Sequence, residues 1–291
     1  MGSRPPPNSS PIKNAESATQ QLIERPPYGQ RFLFKGRWHP VLVVSWPVAP
    51  AVLVPHLPAG TELDLYRGRA YLSVVFLIFS RFRVAGLPFP LRPRFATISL
   101  RFYVRRWHPT ADHGIELRPG VSTIGQVVPS RLLLAVARWS RGEKGTYRPI
   151  GCRTGRGHSG ERELRFEWVH DNRPQWVRAS MAEAGYRPQP TTLESFVLDR
   201  SWHYTRHENG CSTEHLVCHR PWHVCPLTAV EHQADVAALF APQWSLPLDL
   251  NQAHFMMIDG SDVAITYPQR LAATATALPQ QPPVPVVPTS A

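Results

Sequence analysis

Lysine is nearly missing from this chain. It stands at positions 13, 35 and 144 alone, so arginine supplies the rest of the 32 basic residues behind a formal net charge of +11. That skew reflects codon composition, and the arginines are scattered along the chain, so nucleic acid is not the expected partner. One local cluster, Arg148, Arg153, Arg156, Arg162 and Arg165, lies in a Gly-rich stretch. It reads as a solvated hairpin connection, with a phosphate cradle as the alternative. Cysteine is scarce too. Cys152, Cys211, Cys218 and Cys225 have neither disulfide spacing nor the close pairing of a zinc ligand set, and they are expected to be reduced thiols. No long apolar run occurs: Tyr71 to Phe79 is far too short to span a bilayer. No N-terminal stretch joins a basic flank to an apolar core, so no signal peptide, no membrane partner and a cytoplasmic location are expected. The Gly-x-Ser-x-Gly elbow, the Walker loop and the dinucleotide fingerprint are missing as well, and no cofactor is expected. There is no internal repeat.

What is present points to β structure. Residues 1 to 29 are rich in Pro, Ser, Asn and Gln, and residues 272 to 291 are Ala, Thr, Pro and Val in low-complexity order. Both are expected to be disordered tails, because neither can offset its ordering entropy by burial. Residues 30 to 271 are then expected to form one domain, mainly β with a few helices. From Phe95 to Arg105, Ile98, Leu100, Phe102 and Val104 alternate with Thr97, Ser99, Arg101 and Tyr103, a strand with two unlike faces. The segment Arg69 to Ser80 is apolar almost throughout, as a strand covered on both sides would be. Such a pair suits a closed or strongly curved antiparallel barrel whose lumen is partly polar. An open sheet with the polar row in water fits the alternation equally.

Elsewhere Arg31 to Phe34 and Trp38 to Trp46 read as strands, and prolines bracket a short helix at Ala51 to Val54. Residues 81 to 94, with three prolines, read as a loop over the barrel mouth, and Trp107 to Gly120 as an exposed hairpin connection with another strand pair at its end, Val121 to Val128. Ser130 is a candidate N-cap for a helix whose stripe is Leu132, Leu133, Val136 and Trp139, expected to cover or plug one end of the barrel. Leu164 to Val169 and Gln175 to Met181 flank a turn at Asp171-Asn172. Thr191 and Glu194 have the spacing of a capping box, opening a helix to about Arg200. Asn209-Gly210 marks a hairpin between His203 to Glu208 and Cys211 to His219.

That hairpin holds most of a His/Cys cluster: His203, His207, Cys211, His215, Cys218, His219, His223 and Cys225. Counting outward from Asn209-Gly210 pairs Tyr204 with His215, which sends His203 and His207 to the face opposite Cys211 and His215. A ligand set split in this way gives no metal site, and none is expected.

Several stretches in order, Pro58-Ala59-Gly60-Thr61-Glu62-Leu63-Asp64, Gly68-Arg69-Ala70-Tyr71-Leu72-Ser73, Gly86-Leu87-Pro88-Phe89-Pro90, Leu100-Arg101-Phe102-Tyr103-Val104 and Val217-Cys218-His219-Arg220-Pro221-Trp222, resemble the YqjF-like family. The match runs from about Phe32 to about Tyr267. The resemblance implies an acetoacetate-decarboxylase-like β-barrel without implying an activity, since the family's function is unknown. The chain departs from the family where relatives usually carry a Glu-x-Asn-x-Arg row, which here is Thr97, Ser99 and Arg101. It departs again in the strand Thr123 to Val128, where Gly125 and Gln126 stand for Arg and Glu. The decarboxylase works through a lysine whose amine a second lysine keeps neutral. No Lys-Lys pair exists here, so that Schiff-base chemistry is not expected.

The expected function is therefore binding of a small, possibly anionic organic molecule in the lumen. Arg101 would be the charge partner, Thr97, Ser99 and Tyr103 the hydrogen-bonding groups, and Glu62 and Gln126 further lining residues. Alternatively, Arg101 pairs with Glu62 or Asp64 and serves the fold alone. A lyase or hydrolase using Arg101 with an acid such as Glu62, Asp64 or Glu143 is the enzymatic alternative. The tails and the basic loop as an interaction platform are a third. The oligomeric state is not legible.

Overall fold

The computed structural model describes residues 29–90, 94–110, 112, 114–142, 144–157, 160–240, 244 and 249–271, so both expected tails fall almost wholly outside the described residues, as does Glu143. In chain order the strands are β1 (Phe32–Trp38), β2 (Val41–Val48), β3 (Glu62–Leu63), β4 (Ala70–Val84), β5 (Leu87–Pro88), β6 (Arg94–Pro109), β7 (Ile115–Val128), β8 (Gly145–Tyr147) and β9 (Gly151–Arg156). They continue as β10 (Arg162–His170), β11 (Arg173–Met181), β12 (Trp202–Arg206), β13 (Ser212–His219), β14 (Val224–Cys225), β15 (Leu227–Gln233), β16 (His254–Ile258), β17 (Ser261–Thr266) and β18 (Gln269–Arg270). The helices are α1 (Pro50–Leu53), α2 (Arg131–Arg141) and α3 (Leu193–Leu198). Among the described residues no helix is long and apolar enough to cross a membrane.

Long strands with apolar residues on both faces must be covered twice, and β4 and β6 are. Along one edge, β6 pairs with β4 from Leu72–Phe102 to Ser80–Arg94. Along the other edge β4 carries two partners in succession, β2 against Ala70 to Phe76 and β1 against Phe79 to Val84. From β1 the pairing continues through β17, β13, β12 and β7 back to β6, which closes a strongly curved ring. Its neighbours are antiparallel except at the short parallel contact of β12 with β7. β16 and β14 extend the sheet outward from β2.

A second, antiparallel sheet of order β15-β11-β10-β9 lies over the outside of this wall. Leu164, Phe166, Trp168, Val177 and Ala179 pack there against Leu72, Val74, Phe76, Ile98, Leu100 and Phe102, and the rings of Phe76 and Phe166 are 5.2 Å apart. Each buried aromatic in this layer contributes about 1.5–3 kcal/mol. The even positions of β6 are thus committed to the inter-sheet core, which turns its odd positions to the inside of the ring.

α2 starts at Ser130, whose Oγ accepts from Leu133 N, and ends at Gly142 in the left-handed conformation (φ +64°). It covers one end of the ring with Leu133 and Ala137, while Trp139 is 81% exposed and Leu132 is exposed as well. The expected stripe was therefore turned by one position around the helix. α3 is capped by Thr192, whose Oγ1 accepts from Ser195 N, one residue beyond the expected Thr191.

Other expectations are corrected. β4 runs on to Val84 and turns through Ala85-Gly86 into β5, so the 81–94 stretch is not one loop. The stretch from Trp107 to Gly120 is an exposed hairpin, as expected, and it is carried by the β6–β7 ladder, with Thr110 N donating to Gly114 O at 3.0 Å. The basic stretch forms β8 and β9, an edge held by pairing with neighbours in place of a loop. Three of its arginines meet carboxylates, Arg153 with Glu167 across β9 and β10 at 3.6 Å, Arg165 with Glu167 on its own strand at 3.4 Å and Arg156 with Glu183 at 2.6 Å, and they are not gathered around an anion cradle.

The hairpin of β12 and β13 also has a different register. Glu208-Asn209-Gly210 is a three-residue loop closed by His207 N donating to Cys211 O, with Gly210 at φ +79°, and it pairs His203 with His215. The two imidazoles lie side by side with centroids 4.6 Å apart. Among the described residues, no three His, Cys, Asp or Glu side chains gather where they could hold a metal ion.

Candidate functional site

The inside of the ring holds a cavity of about 150 Å³. Such a volume suits about five waters or an organic molecule of about six or seven non-hydrogen atoms. Its walls are mostly apolar, with Trp38, Val75, Leu77, Phe79, Phe95 and Trp222 among them. Thr97, Ser99 and Arg101 enter from β6, Thr123 and Gln126 from β7, His203 from β12, and His219 from β13.

β7 needs an irregularity to do this. Thr123 and Gln126 are three apart, and in a regular strand they would point to opposite faces. Opposite β6 the register shifts, with Leu100 facing Gly125 and Arg101 facing Thr123, so that Ile124 is an extra residue, a β-bulge. The bulge resets the alternation, bringing Val121 and Thr123 before it and Gln126 and Val128 after it to the same lumen.

Two arginines reach the cavity and their situations differ. Arg200, just beyond α3, ion-pairs with the Asp64 carboxylate, donates from Nε to Phe196 O at 2.6 Å, and lies over the Phe196 ring. Arg101 has no carboxylate partner among the described residues, and its Nε is buried without a hydrogen bond. Burial pulls its guanidinium below the ordinary arginine value, and the neighbouring Tyr103 phenol acts in the opposite sense. Tyr103 faces the same interior next to Arg101 without lining the cavity, at the end of a buried hydroxyl chain in which its OH is 2.6 Å from Ser73 Oγ, and Ser73 Oγ is 2.7 Å from Ser45 Oγ.

Of the residues expected at the site, Thr97, Ser99, Arg101 and Gln126 are brought together around the cavity. Tyr103 lies next to Arg101 without lining it, and Glu62 is elsewhere. Glu62 accepts from Arg105 Nε at 2.7 Å and from Trp107 Nε1 at 3.0 Å, and Asp64 is taken by Arg200, so neither acid neutralises Arg101. Neither Lys35 nor Lys144 lines the cavity, and both side chains are exposed.

The sequence reading missed Thr123, Arg200, His203 and His219. Asn209-Gly210 marks the turn but not its length, and the β12–β13 register depends on that length. His219 is held in one orientation: its Nδ1 lies 2.7 Å from Arg220 O, and its ring stacks on Trp222 at 4.2 Å. Burial, with Arg101 adding to it, lowers its pKa from 6.5 to about 4, so the imidazole is neutral near pH 7. Since a carbonyl only accepts, Nδ1 carries the proton and Nε2 is an acceptor. His203 Nε2 lies 3.0 Å from Thr123 Oγ1.

A second charged cluster lies outside the cavity. Glu214 is buried between Arg106 at 3.1 Å and Arg118 at 3.3 Å, and Arg118 also meets Glu116 at 2.8 Å. Burial raises the Glu214 pKa against the pull of the two arginines. This network ties β6, β7 and β13 together, and none of its four side chains lines the ring cavity.

Solved structures share this architecture. The enduracididine biosynthesis enzyme MppR, complexed with the condensation product of pyruvate and imidazole 4-carboxaldehyde, matches with a TM-score of 0.54 at 13% identity, over 84% of this chain and 90% of its own. Acetoacetate decarboxylase from Legionella pneumophila subsp. pneumophila str. Philadelphia 1 matches with a TM-score of 0.51 at 12% identity, over 82% of this chain and 87% of its own. An acetoacetate decarboxylase-like enzyme from Sphingomonas wittichii RW1 gives 0.51 at 13%, over 83% and 94%. These likenesses show an acetoacetate-decarboxylase-like fold. In sequence, uncharacterized protein YqjF of Bacillus subtilis (strain 168) is 32% identical over 74 residues, which are 25% of this chain and 31% of the length of that relative. The pattern of the DUF2071 family, described as an uncharacterized conserved protein, matches residues 35–261, and the chain belongs to that family.

Proposed function

We propose that this protein binds a small organic carboxylate in the ring cavity, with Arg101 as its charge partner and Thr97, Ser99 and Gln126 as hydrogen-bonding groups. One observation carries the reading: Arg101 lines a mostly apolar cavity with no carboxylate to neutralise it among the described residues. Leaving a buried charge without its partner costs about 3–5 kcal/mol, and a bound carboxylate offsets that cost through the fork geometry of the guanidinium. The volume suits an occupant of about six or seven non-hydrogen atoms. That MppR is described in complex with pyruvate is consistent with this size class. Schiff-base chemistry is no part of the proposal, since Lys35 and Lys144 lie away from the cavity.

The test is a thermal-shift and calorimetric titration with C2 to C4 carboxylates against the wild type and Arg101→Gln. At least one acid should raise the wild-type midpoint in proportion to the logarithm of its concentration, and the same acid should bind the variant at least ten-fold more weakly. Equal binding by both proteins, or no binding to the wild type at millimolar concentrations, would overturn the proposal.

A further inference from the structure

The cavity has an acceptor as well as a cation. His219 is one of the lining polar side chains that the carboxylate reading does not use, and its chemistry is fixed by its surroundings. The ring is clamped on Trp222, its Nδ1–H is spent on Arg220 O, and the residue lines the same lumen as Arg101. Nε2, the remaining ring nitrogen, has no protein partner among the described residues. A fixed acceptor at a cavity wall asks for a donor on the occupant, because a polar atom desolvated without a partner is costly.

We infer that the natural ligand is a small hydroxy acid, its carboxylate on Arg101 and its hydroxyl donating to Nε2 of His219, so that His219 selects the hydroxy acid over its oxo and unsubstituted counterparts. This inference rests on the carboxylate reading above and adds the chemical class. An ammonium group could also donate, but it would sit in the field of Arg101, which is close enough to act on the His219 ring. A neutral hydroxyl meets no such repulsion. An oxo acid presents a second acceptor to an acceptor, and an unsubstituted acid leaves Nε2 dry. Discrimination between a present and a missing hydrogen bond in a buried site is commonly ten-fold or more. The imidazole is neutral near pH 7, so the acceptor is available there.

The experiment is calorimetry with matched sets of acids: lactate, pyruvate and propionate, and 3-hydroxybutyrate, acetoacetate and butyrate. Each set is titrated into wild type, His219→Phe, His219→Gln and Arg101→Gln. In at least one set the wild type should bind the hydroxy acid at least ten-fold more tightly than both counterparts. His219→Phe should bring that ratio within about two-fold while leaving affinity for the unsubstituted acid. His219→Gln, which keeps an acceptor oxygen, should restore part of the ratio and serves if the Phe variant does not fold. Arg101→Gln should weaken all members of the set together. If acids bind through Arg101 but the three members of each set bind alike, or the preference survives in His219→Phe, the hydroxy-acid assignment fails and the carboxylate reading stands. If no acid binds the wild type, both fail.

Discussion

At the residue scale, the clearest consequence of the site concerns His219. Its folded-state pKa of about 4 lies below the ordinary 6.5, so between those values the unfolded chain holds the extra proton. The stability that the neutral ring contributes is complete above pH 6.5 and is lost as pH falls towards 4, by at most about 1.4 kcal/mol per pH unit. His39, His56 and His108 are shifted in the same direction by burial, so the wild-type profile alone would not isolate the effect. The difference between wild type and His219→Phe would: the variant's melting midpoint should fall less steeply between pH 6.5 and 4. Parallel profiles would show that the ring titrates normally. In the sequence, Arg101 was legible because alternation assigned it to the polar face, and that face turned out to look inward. His219 was not, because one residue of loop length decides which face of β13 it occupies, and Asn-Gly signals a turn without giving its length.

At the scale of elements, the pairing of the strands carries the result. The continuous apolar run of β4, the alternation of β6 and the apolar segments of β10 and β11 on either side of Asp171-Asn172 were visible in the sequence. β9 and β15 were not, since Gly, Arg and Thr in the one and Glu, His and Gln in the other describe strands held by their neighbours. The bulge at Ile124 left no trace in composition either, although it sets which side chains of β7 meet the cavity. Closure depends on a close approach at Gly120, where β7 meets β12. A Cβ there would lie 2.4 Å from Trp202 O and 2.6 Å from the Tyr204 ring. Gly120→Ala should therefore destabilise by about 1–3 kcal/mol, as overpacking does. Denaturant unfolding would measure it, and a change below about 0.5 kcal/mol, the scale of a neutral surface substitution, would mean that the contact is not close in solution.

At the scale of the whole molecule, the ring and the second sheet share one apolar layer, so the second sheet has no core apart from the ring's. Phe166 is fully buried in that layer against Phe76. Phe166→Ala should cost about 3–5 kcal/mol and lower the single unfolding transition of the entire unit. Two separated transitions, only one of them moved, would show that the sheets unfold independently. The family resemblance made the barrel readable from sequence, and the alternation of β6 made its orientation readable. The overlying sheet was not foreseen, because its apolar face is intelligible only once its counterpart is known. The wall between the two compartments is a single backbone thick, and this has an evolutionary consequence. Alternate codons of β6 answer to separate demands: mutation at 97, 99 or 101 changes the lining of the cavity, whereas mutation at 98, 100 or 102 changes the core between the sheets. Losing one codon between them would exchange the two sets at a stroke.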